Sequence, residues 1–530
     1  MPTFRRPGVY LEESTFTNSS ETGTSITTTL FVGACERGPT MENVTVGSWA
    51  DYSATFGDFT PAPNTYKSFL PYAVHNYFQN GGRGLTIRRA VASAGGTAAY
   101  YDVVNGAADV AFRLTAKSAG LWGHNLSAVI EDQDVAAGVY TLRIYKMDDS
   151  GNNRLVETFA NLASTEGVSY SLKTPIQAIN DEISGSKLVT ASALDSDVTP
   201  TNAANDGSDQ FDNGVEPGSP TTADLSTAAA AAVEEIYGSV LLYVSGHIQA
   251  TPGVPETDGD LVNSNYVVAD SGRLNVFLIQ DGAPPRESSQ SSAAYATLIA
   301  DDDVLGTSGY NRTSSQAANY SPWILIPSPT VVGSTQLTPP GGAVAGVMSR
   351  LEYTSGAYRS PAGVVASLNN VINVDAKYSE AKLADLNSKN INVIRPVVGN
   401  GVCIMGGRTL KNLGVDRFVA ARRTLINIEQ QLQDATQFAV FENNDDILWT
   451  RLRAVAERIL RPVWSSGGLR GATSAAAYFI TCDGSINTPQ VISSGEVRME
   501  IGVSLEYPAE FVVIRLSQTD SGSAVTNTLI

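Results

Sequence analysis

Three near-continuous apolar runs constrain this chain more than any other feature: LNVFLI at 274–279, WILIP at 323–327 and INVIRPV at 391–397. A strand with one wet face alternates apolar and polar residues, whereas a strand apolar at nearly every position needs cover on both faces. Helical patterns at 292–300 and 343–353 fall between the runs and supply that cover. The order predicts a parallel sheet between helical layers, an α/β middle domain over 266–405. Earlier in the chain, the strand ITTTLFVG from Ile26, the turn ERGP, the helical pattern SFLPYAVHNYFQNGG at 68–82 and the strand LTIRRAV at 85–91 read as a strand, helix, strand unit within a core segment at 26–95.

At 530 residues the chain has room for three or four domains. Between 96 and 265 it turns β-rich and polar, with alternation in VAFRLTAKS (110–118), LSAVIED (126–132) and VYTLRIYKM (139–147), which predicts an inserted domain. Within it, 199–226 offers few apolar residues and reads as a surface loop. Residues 406–508 form an α+β unit. One helix places Leu425, Ile428, Leu432 and Ala435 on one face, and a second, opened by Asn444 as cap with Asp445 and Asp446, does so with Leu448, Leu452, Val455 and Ile459. GEVRMEIGVSLEYP at 495–508 alternates as a half-buried strand, with Val497, Met499, Ile501, Val503 and Leu505 on one face. The two ends, 1–25 and 509–530, read as arms, because Pro2 and Pro7 exclude helix around a short VYLEE strand and the tail has little core to join.

TPPGGAVAGVMSRLEYTSGAYRSPAG at 338–363 runs a Gly-rich turn into a helix, as phosphate-binding loops do. A Walker loop needs Lys and Ser or Thr after its second spaced Gly, but Val347 and Met348 follow Gly346, and the Rossmann spacing fails here and at GNGVCIMGG (399–407). These glycines are expected to let a helix pack closely on a sheet, with Pro339 and Pro340 fixing its entry. GATSAAA at 471–477 faintly resembles the serine segment of subtilisin-like proteases. No motif places His75, His124 or His247 beside an acid and Ser474.

Three histidines and three scattered cysteines, Cys35, Cys403 and Cys482, argue against a zinc site and for reduced thiols. The run Asp301, Asp302, Asp303 lacks calcium-loop spacing and reads as a solvated turn. A formal charge of −18 opposes broad contact with nucleic acid or an anionic bilayer. No apolar run of spanning length or signal-peptide core occurs, so the expectation is a soluble protein without direct membrane insertion, without cofactor or metal, and without catalysis. Against that acidic background Arg451, Arg458 and Arg461 fall within about 80° of one another on a helix at 100° per residue, a local positive ridge whose plain alternative is a solvated flank beside Glu457 and Asp446.

RRPGVYLEE, LFVGACERGP with VGSWADYSATFGD, LPYAVHNYFQNGG, FRLTAKSAGLWGHNLSAVI, PPGGAVAGVMSRLEYTSGAYRSPAG, LNSKNINVIRPVVGNGVCIMGGRTL, FAVFENNDDILWTRLR and the segment from GGLRGATSAAAYFITCDG to FVVIRL together resemble the contractile tail sheath proteins of bacteriophages and phage-tail-like injection particles. The resemblance covers most of the chain apart from about 150–265 and the extreme tail. It implies a non-catalytic middle domain of subtilisin-like topology, and subunits in stacked hexameric rings around an inner tube. It also implies contact with baseplate and tail terminator proteins, and terminal arms that add strands to sheets of neighbouring copies. Arg6, Pro7, Gly8, Val9, Tyr10, Leu11, Phe511, Val513 and Arg515 are then the candidate inter-subunit arm residues. The 406–508 unit would face the tube, and Arg451, Arg458 and Arg461 would dock on it. Direction changes are expected at Thr15 to Thr24 and around Tyr507 and Pro508. The implied location is a virion tail or phage-tail-like particle built in the bacterial cytoplasm. The rival readings are a static shell or surface-layer protein and a subtilisin-like hydrolase.

Overall fold

The computed structural model describes residues 27–40, 42–59, 67–92, 96–134, 139–147, 151–163, 173–181, 184–192, 198, 200–201, 204–215, 220–245, 248–249, 275–282, 314–414, 416–510, 516–519 and 522–525. The helical pattern at 292–300, the run Asp301 to Asp303, His247, the N-terminal arm with Arg6 to Leu11, and Phe511, Val513 and Arg515 lie outside these residues.

The centre is an eight-stranded sheet in the order Val44–Val46, Leu85–Arg89, Thr28–Gly33, Val240–Ser245, Val276–Asp281, Ala317–Ser321, Ile391–Val397, Gly401–Ile404. The six inner strands are parallel and each edge strand is antiparallel. Alternate side chains of the inner strands serve two separate cores. Phe31, Leu241, Tyr243, Phe277 and Ile279 meet the helices Trp49–Phe56, Leu70–Gln79 and Gly341–Ser355. Leu30, Val32, Val240, Leu242, Val276 and Leu278 meet Thr222–Glu235 and Glu380–Ser388 on the other face. Cover on both faces is why Thr28–Gly33, Val240–Ser245 and Val276–Asp281 carry apolar residues at consecutive positions.

The WILIP run departs from expectation. Ile324–Pro327 leaves the parallel sheet and forms an antiparallel three-stranded sheet with Thr335–Thr338 and Asn373–Val374. Its expected place is taken by Ala317–Ser321, buried at every position. AANYS hides its role because Asn319 is polar, but its amide donates to the Asp281 carbonyl at 3.3 Å and its own carbonyl accepts from Asn392 at 3.1 Å.

Two further sheets, Val189–Ser192/Val110–Ala116/Tyr100–Val104 and Asp206–Gln210/Leu126–Asp134/Val139–Met147/Asn153–Ala163, share a core that includes Phe112, Leu114, Trp122, Leu142 and Ile144. The ERG turn bolts this unit to the body. Arg89, 1% exposed, donates to the carbonyls of Gly38 and Glu36 at 3.0 and 3.3 Å, and the Gly38 N–H donates to Ser118 Oγ at 3.1 Å.

The loop expected at 199–226 is a correction. Asp206–Gln210 pairs with Leu126–Asp134, Phe211 is buried, and Thr221 with Asp224 forms a capping box that opens the helix Thr222–Glu235. Ser, Thr and Asp that looked like loop composition are a helix start, and the alanines behind them pack on the sheet. Val240–Ser245 then pairs with Thr28–Gly33, so the central sheet resumes well before 265.

The helix Val419–Ala435 is buried nearly all round in its first half, with Ile426 in the sheet-side core, Ala421 and Ile428 in two smaller cores, and Leu425 only half-buried. It is wedged between the sheet and the C-terminal layer rather than presenting one face. Of the alternating 495–508 stretch only Glu500–Val503 is strand; Val497 and Met499 still pack on Leu448, Trp449 and Leu452, and Leu505 bridges to Leu469.

Candidate assembly surface

The helix Asp446–Ser465 buries Leu448, Trp449, Leu452, Ala456, Ile459, Leu460 and Val463, and leaves Arg451, Arg458 and Arg461 exposed on the opposite side. Its cap is Asp445, whose Oδ1 accepts from the N–H groups of Ile447 and Leu448 at 3.0 and 2.9 Å. Asn444, expected in that place, instead accepts from Trp449 Nε1 at 2.8 Å and donates to the Glu496 carbonyl at 2.8 Å. Arg451 lies 4.7 Å from the Phe438 ring centroid and 3.8 Å from Glu442. The Glu457 carboxylate accepts from the Tyr478 hydroxyl. Arg458 and Arg461 have no ion pair among the described residues.

Against the inner side of that helix lies a sheet of two strands among the described residues, Tyr478–Thr481 and Glu500–Val503, with Ala456, Leu460, Ala477 and Tyr478 as its core. Two strands alone are marginal, and a sheet edge offers its N–H and C=O groups to a further strand. Leu516–Thr519 and Gly522–Val525 pair with each other in the C-terminal segment.

The Gly-rich turn is occupied by the chain itself. Asp281 Oδ1 accepts from the Gly341 N–H at 2.7 Å and Oδ2 from the Tyr243 hydroxyl at 2.7 Å, so a carboxylate sits where a phosphate loop would hold its anion. Burial pushes the Asp281 carboxyl up to about 7. The close partner of the following glycines is the helix Leu70–Gln79, not the sheet: a Cβ at Gly342 would stand 2.3 Å from the Ala73 carbonyl oxygen and one at Gly346 2.5 Å from that of Tyr77. GNGVCIMGG is the hairpin joining Ile391–Val397 to Gly401–Ile404, with Gly399 and Gly401 at φ 82° and 74°.

Ser474 begins the four-residue helix Ser474–Ala477. His75 sits edge-on to Trp49 and Phe59 at 5.4 and 5.5 Å, with burial lowering its pKa, and His124 Nε2 accepts from the Gly214 N–H at 3.0 Å. The interactions of both lie away from the serine. All three cysteines are free and buried. Among the described residues no group of three or more His, Cys, Asp or Glu could hold a metal, and no helix is long and apolar enough to cross a membrane.

No family model and no curated protein matches this sequence. Solved structures match over nearly its whole length. The anti-feeding prophage helical sheath in its contracted state aligns at TM-score 0.55 and 20% identity over 98% of this chain and 100% of that one. The sheath complex of the extracellular contractile injection system PVC, also contracted, aligns at 0.55 and 18% over 98% and 99%. A sheath tail protein from Listeria innocua aligns at 0.59 and 12% over 92% and 97%. The chain has the fold shared by these sheath proteins.

Proposed function

We propose that this chain is the structural subunit of a contractile tail sheath. It polymerises as stacked hexameric rings around an inner tail tube and contracts from a metastable extended state, driving the tube through a target envelope. The observation that carries the reading is the end-to-end correspondence with sheath chains, at 98% of this chain and 100% of the anti-feeding prophage sheath. The two-stranded sheet Tyr478–Thr481/Glu500–Val503 supports it, because an extended arm from a neighbour would complete it through backbone hydrogen bonds while side chains set register. Residues 3–13 and 509–525 are the arms in this reading, and Arg451, Arg458 and Arg461 dock on the tube. Baseplate and terminator proteins cap the assembly in a virion tail or phage-tail-like particle.

In this reading contraction is a downhill rearrangement rather than an enzymatic one, with the extended form held by its contacts to tube and baseplate. A gain of only a few kcal/mol per subunit, typical of bistable packings, exceeds thermal energy widely when many subunits act together. The test is to incubate purified protein with and without tubes and image the products. Tubes in two forms, one shorter and wider, support the reading. A single static lattice favours a shell protein, and hydrolysis abolished by Ser474→Ala favours an enzyme.

A further inference from the structure

Residues 505–510 are strapped across the body rather than free. Leu505 bridges to Leu469 and is buried, and the Tyr507 ring lies 5.8 Å from that of Phe418. The strap ends in a forked ion pair: Arg408 Nε donates to Glu510 Oε1 at 2.8 Å and Nη2 to Oε2 at 2.5 Å, with Arg417 at 3.8 Å. The two side chains are 10% and 19% exposed, so the pair is shielded from water and salt. Arg408 is itself fixed. Its Nη1 donates to the Asn387 carbonyl at 2.8 Å, and its backbone N–H and carbonyl are both bonded to the side chain of Asn392 in the central sheet, at 2.8 and 2.7 Å.

We infer that the Arg408–Glu510 clasp anchors the C-terminal segment to the central sheet, so that the body of the subunit extends through Glu510. Tyr507 and Pro508, where a direction change was expected, then lie inside the anchored segment and are not a hinge while the clasp holds. A bidentate pair sets orientation as well as distance, so the clasp fixes the direction in which the C-terminal strands leave the subunit. Arg408 and Glu510 are positioning residues for the arm. The consequence for assembly rests on the sheath reading, whereas the anchor itself does not.

The test uses a nitroxide label on Ala509→Cys in the full chain, which is selective because Cys35, Cys403 and Cys482 are buried. A second label on Ala454→Cys, exposed on the helix Asp446–Ser465, reports whether the fold is intact. The label at 509 is expected to tumble slowly in the otherwise unchanged chain and several-fold faster with Glu510→Gln. Arg408→Gln is expected to do the same, and the 454 label is expected not to change. Fast tumbling before any clasp mutation, or a spectrum that Glu510→Gln leaves unchanged, overturns the anchor. Both measurements are made on the unassembled chain, so failure to form tubes would strike the assembly reading without touching this result.

Discussion

The Asp281 carboxylate accepts the backbone N–H of Gly341 at 2.7 Å, so the first turn of the helix Gly341–Ser355 is capped from the end of a central strand by a buried acid. The Tyr243 hydroxyl holds the other oxygen. This contact ties two strands and a helix at the point where an α/β fold often places a ligand.

A carboxyl shifted by burial from 3.8 to about 7 keeps a proton in the folded chain that the unfolded chain has released. Its stabilising contribution is therefore full below about pH 4 and is lost as pH rises through about 7, with a slope of at most about 1.4 kcal/mol per pH unit from this group. Chemical denaturation across that window is expected to show the decline, and Asp281→Asn, which keeps the shape without the charge, to flatten it. Equal slopes for the two proteins would contradict the assignment.

Gly342→Ala and Gly346→Ala are expected to destabilise by about 1–3 kcal/mol or more, because the new methyl meets backbone rather than a flexible side chain. Gly484→Ala, with nothing within 4 Å, is the control and should lie within about 0.5 kcal/mol of the parent. Thermal unfolding of the three variants decides.

Much of the frame was legible in the sequence. The inner strands at 276–281 and 391–397 could be read because cover on both faces leaves an unmistakable apolar run, and the 85–89 strand because it closes a strand, helix, strand unit. Ala317–Ser321 was not legible, since its central Asn319 is polar and is held by partners 38 and 73 positions away, its side-chain amide on the Asp281 carbonyl and its backbone carbonyl by Asn392. The helix at 222–235 was hidden by a cap that shares its composition with loops. Of the candidate surface, the arginine ridge follows from helical spacing alone, while Arg408–Glu510 joins residues 102 apart that no local pattern connects.

Glu352 accepts from Arg423, from Thr27 Oγ1 at 2.6 Å and from Asn427 at 3.3 Å, joining the start of the first strand to two helices. The Arg423 and Glu352 side chains are 5% and 15% exposed, so Glu352→Ala leaves a buried guanidinium unpaired and is expected to cost about 3–5 kcal/mol. Urea unfolding would show this as a lower midpoint at unchanged slope.

Arg451 and Glu442 are each about half exposed, and such a pair contributes little to folding. Reversing Arg451 and Arg458 to Glu is therefore expected to leave the melting temperature nearly unchanged while weakening co-sedimentation with tail tubes. Undiminished co-sedimentation would remove the ridge from the docking surface.

Deleting residues 1–14 is expected to leave a folded monomer that no longer forms regular tubes. Tubes of normal appearance from that variant would refute the N-terminal arm.

The most direct measurement of the whole account is a cryo-EM reconstruction of the assembly formed by the full-length chain. The account predicts that residues 3–13 and 509–525 of each copy run as strands against sheets of neighbouring copies, with Tyr478–Thr481 and Glu500–Val503 among the strands extended. Both termini folded back on their own subunit, with neighbours meeting through side chains alone, would contradict it.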